Sequence, residues 1–302
     1  MGLITKLTGK ISKRSADKRA KKSAATKQHH SFRSEYLLND NTPFDVTEAF
    51  RNLKASLSVS VPKKEGGRAI VVTSGYPEDG KTTVTVNLAL MFAFSDAKVI
   101  LIDADIRKGR VSKYFKRKSS PGLSDYLSGQ VSLDKVIHKS HANENLSYMT
   151  CGTHAPKPYE LLESAEMAKL IEGLRETYDY IFIDSPPVLV ISDALALAPI
   201  TDGTVLVCRH NMSYVSDIAR AINTLQFSKV NVLGIVVNDY KAPVTGKYYG
   251  GGYKKYYYYH AYGYAYAYGS TNPEDKDDDE PSDDAEAPKT DAPTSDAPEK
   301  TE

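Results

Sequence analysis

Residues 71–90, VVTSGYPEDGKTTVTVNLAL, limit the possible folds of this chain more than any other stretch. An apolar, β-branched run reads as a strand, and KTTVTVNLALMFAF reads as a helix. Between them Gly75-Tyr76-Pro77-Glu78-Asp79-Gly80-Lys81-Thr82 fits the spacing G-x-x-x-x-G-K-[ST] in the strand–loop–helix context that gives it meaning. Glycines let the backbone curl until its N–H groups face phosphate oxygens, and the helix start adds a partial positive charge. Lys81 brings a full charge to the β- and γ-phosphates, and the Thr82 hydroxyl is a ligand for Mg²⁺. A nucleotide-binding loop is therefore expected, with Gly75, Asp79, Gly80, Lys81, Thr82 and Thr83 as its binding residues.

From Arg68 onward the same alternation repeats. AIVVTS, KVILIDAD, LSYMTC, YDYIFID, DGTVLVC and VLGIVVND are short apolar runs. SAEMAKLIEGLRETY and VSDIARAINTLQF between them have helical spacing. This pattern predicts an α/β P-loop fold with a mostly parallel sheet covered by helices on both faces, flanked by termini without a fixed fold. TPFDVTEAFRNLKASLSV before it reads as a helix with Asp45 or Thr47 as cap and Phe50, Leu53 and Leu57 on its apolar face. The expected divisions are a basic N-terminus (1–42), a nucleotide-binding domain (43–240), a tyrosine-rich segment (241–270) and an acidic tail (271–302).

The net charge of +1 hides a polar asymmetry. Residues 1–30 carry nine Lys/Arg against Asp17, and residues 271–302 carry thirteen Asp/Glu against three lysines. The basic end suits an anionic membrane surface, at about 1 kcal/mol per charge, or equally pairing with the acidic tail or a solvated state. It is not read as nucleic-acid binding, because no basic patch interleaved with aromatics accompanies it in the alternating region. No stretch approaches 18 consecutive apolar residues and no signal-type core opens the chain, so a cytoplasmic location is expected. Cys151 and Cys208 read as small buried hydrophobes rather than a disulfide or metal pair.

Three carboxylates extend the phosphate site. VILIDADIRKGR ends a strand with Asp103 and Asp105, two apart and so on one side of the extended chain, and YIFIDSPP ends another with Asp184. Ligands of open α/β sheets bind beyond the carboxyl ends of the strands. Lys81, Asp103, Asp105 and Asp184 are thus the candidate catalytic residues. Asp193 reads equally as a helix cap or a supporting group, Arg107 as a phosphate contact or the partner of an acid, and Asn238 as a base contact or a turn residue. The eukaryotic kinase motifs H-R-D-L-x-x-x-N and D-F-G are absent, and so is the guanine-reading N-K-x-D.

Eleven of the 21 tyrosines lie in KYYGGGYKKYYYYHAYGYAYAYG: Tyr248, Tyr249, Tyr253, Tyr256, Tyr257, Tyr258, Tyr259, Tyr262, Tyr264, Tyr266 and Tyr268. No packed core needs tyrosine at that density beside glycines and lysines. With SGYPEDGKTT, ILIDADIRKG and IFIDSPP, and with GLSDYLSG and PKPYELLES between them, the chain resembles the bacterial tyrosine kinases of capsule and exopolysaccharide synthesis. The likeness runs from about Thr42 to Tyr240, and the tyrosine cluster resembles that family's autophosphorylation tail. It implies ATP and Mg²⁺ as cofactors; from the strand-end carboxylates read above, Thr82 and Asp105 are expected to hold Mg²⁺, with Asp184 through water, and Asp103 to accept or orient the hydroxyl proton. It also implies a homo-oligomeric ring, an octamer, in which one subunit's tail enters a neighbour's site. A transmembrane adaptor of polysaccharide co-polymerase type would recruit the chain to the inner face of the cell membrane, and a cognate tyrosine phosphatase would reverse the reaction. The family's ring-forming E-x-x-R-x-x-R pattern corresponds here to Glu48, Arg51 and Lys54, the lysine lacking arginine's bidentate fork.

Two competing readings share these features. A partitioning-type ATPase has the same fold and carboxylates, but typically carries a second lysine where this chain has Tyr76, and ends without a tyrosine run. A non-catalytic scaffold that is phosphorylated by another kinase conflicts with the intact Lys81, Thr82, Asp103, Asp105 and Asp184.

Overall fold

The computed structural model describes residues 34–62 and 65–240. The apolar runs form strands β1 (Arg68–Ser74), β2 (Val99–Asp103), β3 (His138–Lys139), β4 (Leu146–Met149), β5 (Tyr180–Asp184), β6 (Gly203–Arg209) and β7 (Val232–Asn238). Among the described residues these make one sheet in the order β3-β4-β2-β5-β1-β6-β7. Neighbouring strands are parallel except β3 and β4. Strand β3 was not expected, because two residues cannot display an alternating pattern.

Four longer helices cover the sheet: α1 (Phe44–Ser60), α2 (Lys81–Ala93), α3 (Ala165–Arg175) and α4 (Val215–Phe227). Alternate residues of each strand point to opposite faces. Ile70, Val72, Leu101 and Phe182 join Leu88 and Phe92 of α2 and Leu57 of α1 in one core. Ala69, Val71, Ile100, Ile102 and Ile183 meet Met167, Leu170 and Leu174 of α3 in the other. Leu206 of β6 packs with Ala221 and Leu225 of α4. Every residue of α2 except Thr83 is buried, since this helix lies between the sheet and α1. Its apolar residues therefore surround the axis instead of forming a stripe.

The start of α1 differs from the expectation. Neither Asp45 nor Thr47 caps it: Pro43 occupies the cap position, and the Thr47 hydroxyl donates back to the Pro43 carbonyl (3.3 Å). Pro43 keeps an extended backbone (ψ 140°) and the helix begins at Phe44, which places Asp45 in the first turn where its charge suits the helix dipole. Leu57 is buried and Leu53 packs against the core, while Phe44 remains exposed.

The end of α3 is tied to the sheet by a buried ion pair. Arg175 donates to Asp202 (2.7 Å), to the Gly67 carbonyl (2.6 Å) and to the Ile200 carbonyl (3.0 Å). Asp202 in turn accepts the Ala69 N–H at the start of β1 (2.7 Å). Removing one partner of such a pair leaves the other charge buried. Arg175→Ala is expected to lose about 3–5 kcal/mol of unfolding free energy in urea titration, against less than about 1 kcal/mol for Lys157→Ala, whose ion pair with Glu160 is exposed.

Candidate functional site

Beyond the carboxyl end of β1 the chain turns through residues 75–80 into α2, which starts at Lys81. Gly80 has φ +93°, and a Cβ there would stand 1.9 Å from Asn238 Nδ2. This glycine is required twice over, by its backbone and by its neighbour. Gly75 has ordinary space around it. Glu78 also adopts a left-handed backbone, φ +70°. The loop is braced from behind. The Asp79 carboxylate accepts the Tyr76 N–H (3.0 Å) and the Ser213 hydroxyl (3.0 Å). Asn238, the last residue of β7, donates to the Asp79 carbonyl (3.0 Å), and Arg209 donates to the Glu78 carbonyl (3.3 Å).

The Lys81 ammonium lies 3.3 Å from Asp105 Oδ2 and 3.4 Å from Asp184 Oδ1. Thr82 donates its hydroxyl to Asp184 Oδ2 at 2.7 Å. Asp103 and Asp184 are direct register partners across β2 and β5. Asp103 accepts the Val111 N–H (3.0 Å) and, more weakly, the Asp105 N–H (3.3 Å). Both Asp103 and Asp184 are inaccessible to solvent, whereas Lys81 (9% exposed) and Asp105 (6%) retain slight access.

Three carboxylates thus share one ammonium in a desolvated space. Burial, with the charge of Asp184 added, pushes the Asp103 carboxyl well above the usual carboxylate range. Burial also raises Asp184, against the opposing pull of Lys81 and the Thr82 hydroxyl. For Lys81 burial opposes the charge, but Asp184, Asp105 and Asp103 together outweigh it and hold the ammonium above its ordinary value. The nearby Cys151 thiol is pushed up to about 12 by burial and by Asp103 and Asp105, so it stays protonated and inert.

The remaining predicted residues fall in several places. Arg107 forms a two-point pair with the buried Asp193 (2.8 and 3.2 Å). Asp193 is the first residue of the short helix Asp193–Ala196, whose cap position is Ser192. The Thr83 hydroxyl lies 2.6 Å from that of Tyr114. On α1, Glu48 and Arg51 form an exposed ion pair, while Lys54 turns back to the Ser95 hydroxyl and the Phe92 ring. The tyrosines from Tyr248 to Tyr268 and the basic and acidic ends lie outside the described residues. Sequence reasoning missed Arg209 and Ser213, which touch the loop from distant positions, and Tyr114, which meets Thr83 in the first turn of α2; none of them carries a motif.

Among the described residues no group of three His, Cys, Asp or Glu side chains is arranged to hold a metal by itself. The donor set nevertheless fits Mg²⁺. It offers the hard oxygens of Thr82, Asp105 and Asp184, and this ion is usually held by one or two carboxylates together with substrate phosphates and water. One ammonium against three carboxylates also leaves acidic character for a cation to offset. In the nucleotide-free chain that crowding costs stability. A raised folded-state value means that the native state binds more protons than the unfolded one, so stability is lost as pH rises from about 4 toward that value. Asp103→Asn, which keeps a carbonyl oxygen for the Val111 N–H, removes this loss. Its thermal midpoint is expected to match the parent near pH 4 and to exceed it by roughly 2–4 °C at neutral pH, the shift that about 1 kcal/mol produces in a domain of this size. Differential scanning fluorimetry across pH, without nucleotide, measures the difference.

Residues 68–233 match the AAA domain family. A protein of Klebsiella pneumoniae named a tyrosine-protein kinase in the cps region is 36% identical over 217 residues, which cover 72% of this chain and 30% of that protein. The tyrosine-protein kinase YwqD of Bacillus subtilis is 32% identical over 195 residues, 65% of this chain and 81% of that protein. The solved kinase domain of the Escherichia coli tyrosine kinase ETK superimposes with a TM-score of 0.63 at 30% identity, covering 74% of this chain and 88% of that one. The chain thus spans less than a third of the length of the Klebsiella relative and most of the Bacillus one. Sequence, fold and phosphate loop agree: this chain belongs to the family of bacterial tyrosine-protein kinases, on a P-loop domain that matches the AAA domain family.

Proposed function

We propose that this chain is an ATP-dependent protein-tyrosine kinase whose substrate includes its own segment 241–270, and that it regulates capsular or exopolysaccharide synthesis. The observation that carries the reading is the meeting of Lys81 and Thr82 with Asp105 and Asp184 beneath a braced phosphate loop, in a chain that also holds eleven clustered tyrosines. Phosphoryl transfer is mostly positioning and charge stabilisation. Lys81 and the loop N–H groups would hold the phosphates, and Thr82 and Asp105, with Asp184 through water, would hold Mg²⁺, which would supply positive charge to offset that of the phosphates. Arg107 and Asn238 remain candidate contacts to the nucleotide, the first steadied by Asp193 and the second by its bond to the loop.

Asp103 has two readings. Its raised carboxyl makes it a stronger base than an exposed aspartate, suited to accept the tyrosine hydroxyl proton. Its complete burial and its bond to the Asp105 N–H favour positioning of Asp105 instead. The wider assembly we propose is a ring, an octamer, using the Glu48, Arg51 and Lys54 face of α1. In it a transmembrane adaptor of polysaccharide co-polymerase type activates the chain at the inner face of the membrane and a cognate phosphatase resets the tail. Among the described residues no helix is long and apolar enough to cross a membrane.

Incubation with Mg-ATP and the adaptor's cytoplasmic peptide, followed by intact-mass spectrometry and peptide mapping, tests the reading. Several phosphates on residues 247–269 are expected, with the rate lowered at least about 100-fold in Lys81→Met. Phosphate release without tyrosine modification would move the function to a partitioning-type ATPase, and no turnover would move it to a scaffold. A proton-accepting Asp103 predicts a loss of about 10²–10⁴-fold in Asp103→Asn together with loss of the acid limb of the pH profile. A positioning role predicts a smaller loss with the limb unchanged.

A further inference from the structure

The polypeptide that leaves β2 carries a dense positive surface. Residues 107–118, RKGRVSKYFKRK, hold seven Lys/Arg and no acid. The stretch is anchored on the candidate site itself: the Lys108 N–H donates to Asp105 Oδ1 (2.9 Å) and the Val111 N–H to Asp103 Oδ2. Arg107 is held by Asp193, and Arg117 lies beside Tyr148. The other five, Lys108, Arg110, Lys113, Lys116 and Lys118, are exposed or half-buried, and none forms an ion pair with a described carboxylate. Like charges this close repel one another within a screening length of about 8–10 Å, so the surface favours an anionic occupant.

Charge and chain length indicate which one. Tyr114 is buried with its hydroxyl on Thr83, and the half-buried Phe115 ring is stacked on Tyr148 at 4.0 Å. Residues 107–118 are thus a basic run interleaved with aromatics inside the fold, contrary to the sequence expectation, but neither ring is free to stack on a base, which disfavours single-stranded nucleic acid. The chain itself contains the complement. Residues 274–286 hold nine Asp/Glu against Lys276, a net of −8. From Tyr240 to Glu274 is 34 residues, up to about 110–120 Å when extended, enough to return to residues 107–118 from the end of the described domain. From Tyr268 to Glu274 is six residues, about 20 Å.

We propose that residues 107–118 form a docking surface for the acidic segment 274–286 of this sequence. The contact stands on charge and reach alone; its consequence rests on the kinase reading above. Held there, the acidic segment would bring the tyrosines nearest to it, Tyr268 first, within reach of Asp103 and Asp105, so docking selects the tail as substrate.

Carbodiimide coupling of the full chain joins lysines to carboxylates in direct contact, and peptide mass spectrometry locates the links. At about 10 mM salt, links from residues 274–286 to Lys108, Lys113, Lys116 or Lys118 are expected, falling about tenfold or more at about 1 M salt, where the screening length is about 3 Å. The lysines of residues 1–30 are internal competitors. Links that go to them instead, or that spread evenly over all lysines, overturn the proposal. The variant Lys113→Gln/Lys116→Gln/Lys118→Gln changes no residue of the phosphate or carboxylate site. It is expected to lose these links and to take up phosphate on 248–268 about tenfold more slowly. A parent chain that takes up phosphate without the links overturns the docking and leaves the kinase. A chain that gives the links but takes up no phosphate overturns the kinase and leaves the docking.

Discussion

Lys81 and its three carboxylates occupy a space from which water is almost excluded, and the rest of the structure is arranged to hold them there. Asp103 and Asp184 stand side by side because β2 and β5 pair in register at those residues. A slip of one residue would turn either side chain to the opposite face of the sheet. Lys81 reaches them because α2 starts immediately after the loop that leaves β1, the neighbour of β5. Burying three acids with one base is unfavourable in isolation, and the raised carboxyls of Asp103 and Asp184 express that cost. A site under such tension gains most when a divalent cation and phosphates enter together, since each offsets a charge the other leaves.

The loop above this cluster is held in shape before any ligand arrives. Its carbonyls and carboxylate are taken up by Asn238, Arg209 and Ser213, so the path of the loop is fixed by the protein's own groups. Pre-set dipoles of this kind are effective because their ordering is completed during folding. The left-handed backbone at Glu78 and Gly80 belongs to the same device.

Around this acidic centre lies a basic rim. The stretch that starts at Arg107 closes over Asp103 and then carries five cations that form no ion pair among the described residues. Negative charge inside and positive charge outside sort ligands by depth: cations are drawn to the buried carboxylates, and anionic segments to the edge. The stacking of Phe115 on Tyr148 and the burial of Tyr114 fix the rim to the sheet, so it is a surface feature of the fold.

Much of this was legible in the chain. The six apolar runs, the main helices and the order of the phosphate loop and strand-end aspartates were set by local periodicity and motif spacing, which depend only on neighbours in sequence. The sequence also singled out Lys81, Thr82, Asp103, Asp105 and Asp184, because three strand-end carboxylates follow strands that lead to the same edge as a lysine-bearing phosphate loop. Tertiary structure alone decided the strand order and the short antiparallel β3, the start of α1 at Pro43, and the partners of Arg107 and Lys54. It also decided that Asp79 and Asn238 brace the loop and that residues 107–118 form a rim bound to the site. Those outcomes depend on which surfaces meet across tens to more than a hundred residues of chain, and no local pattern records such a meeting.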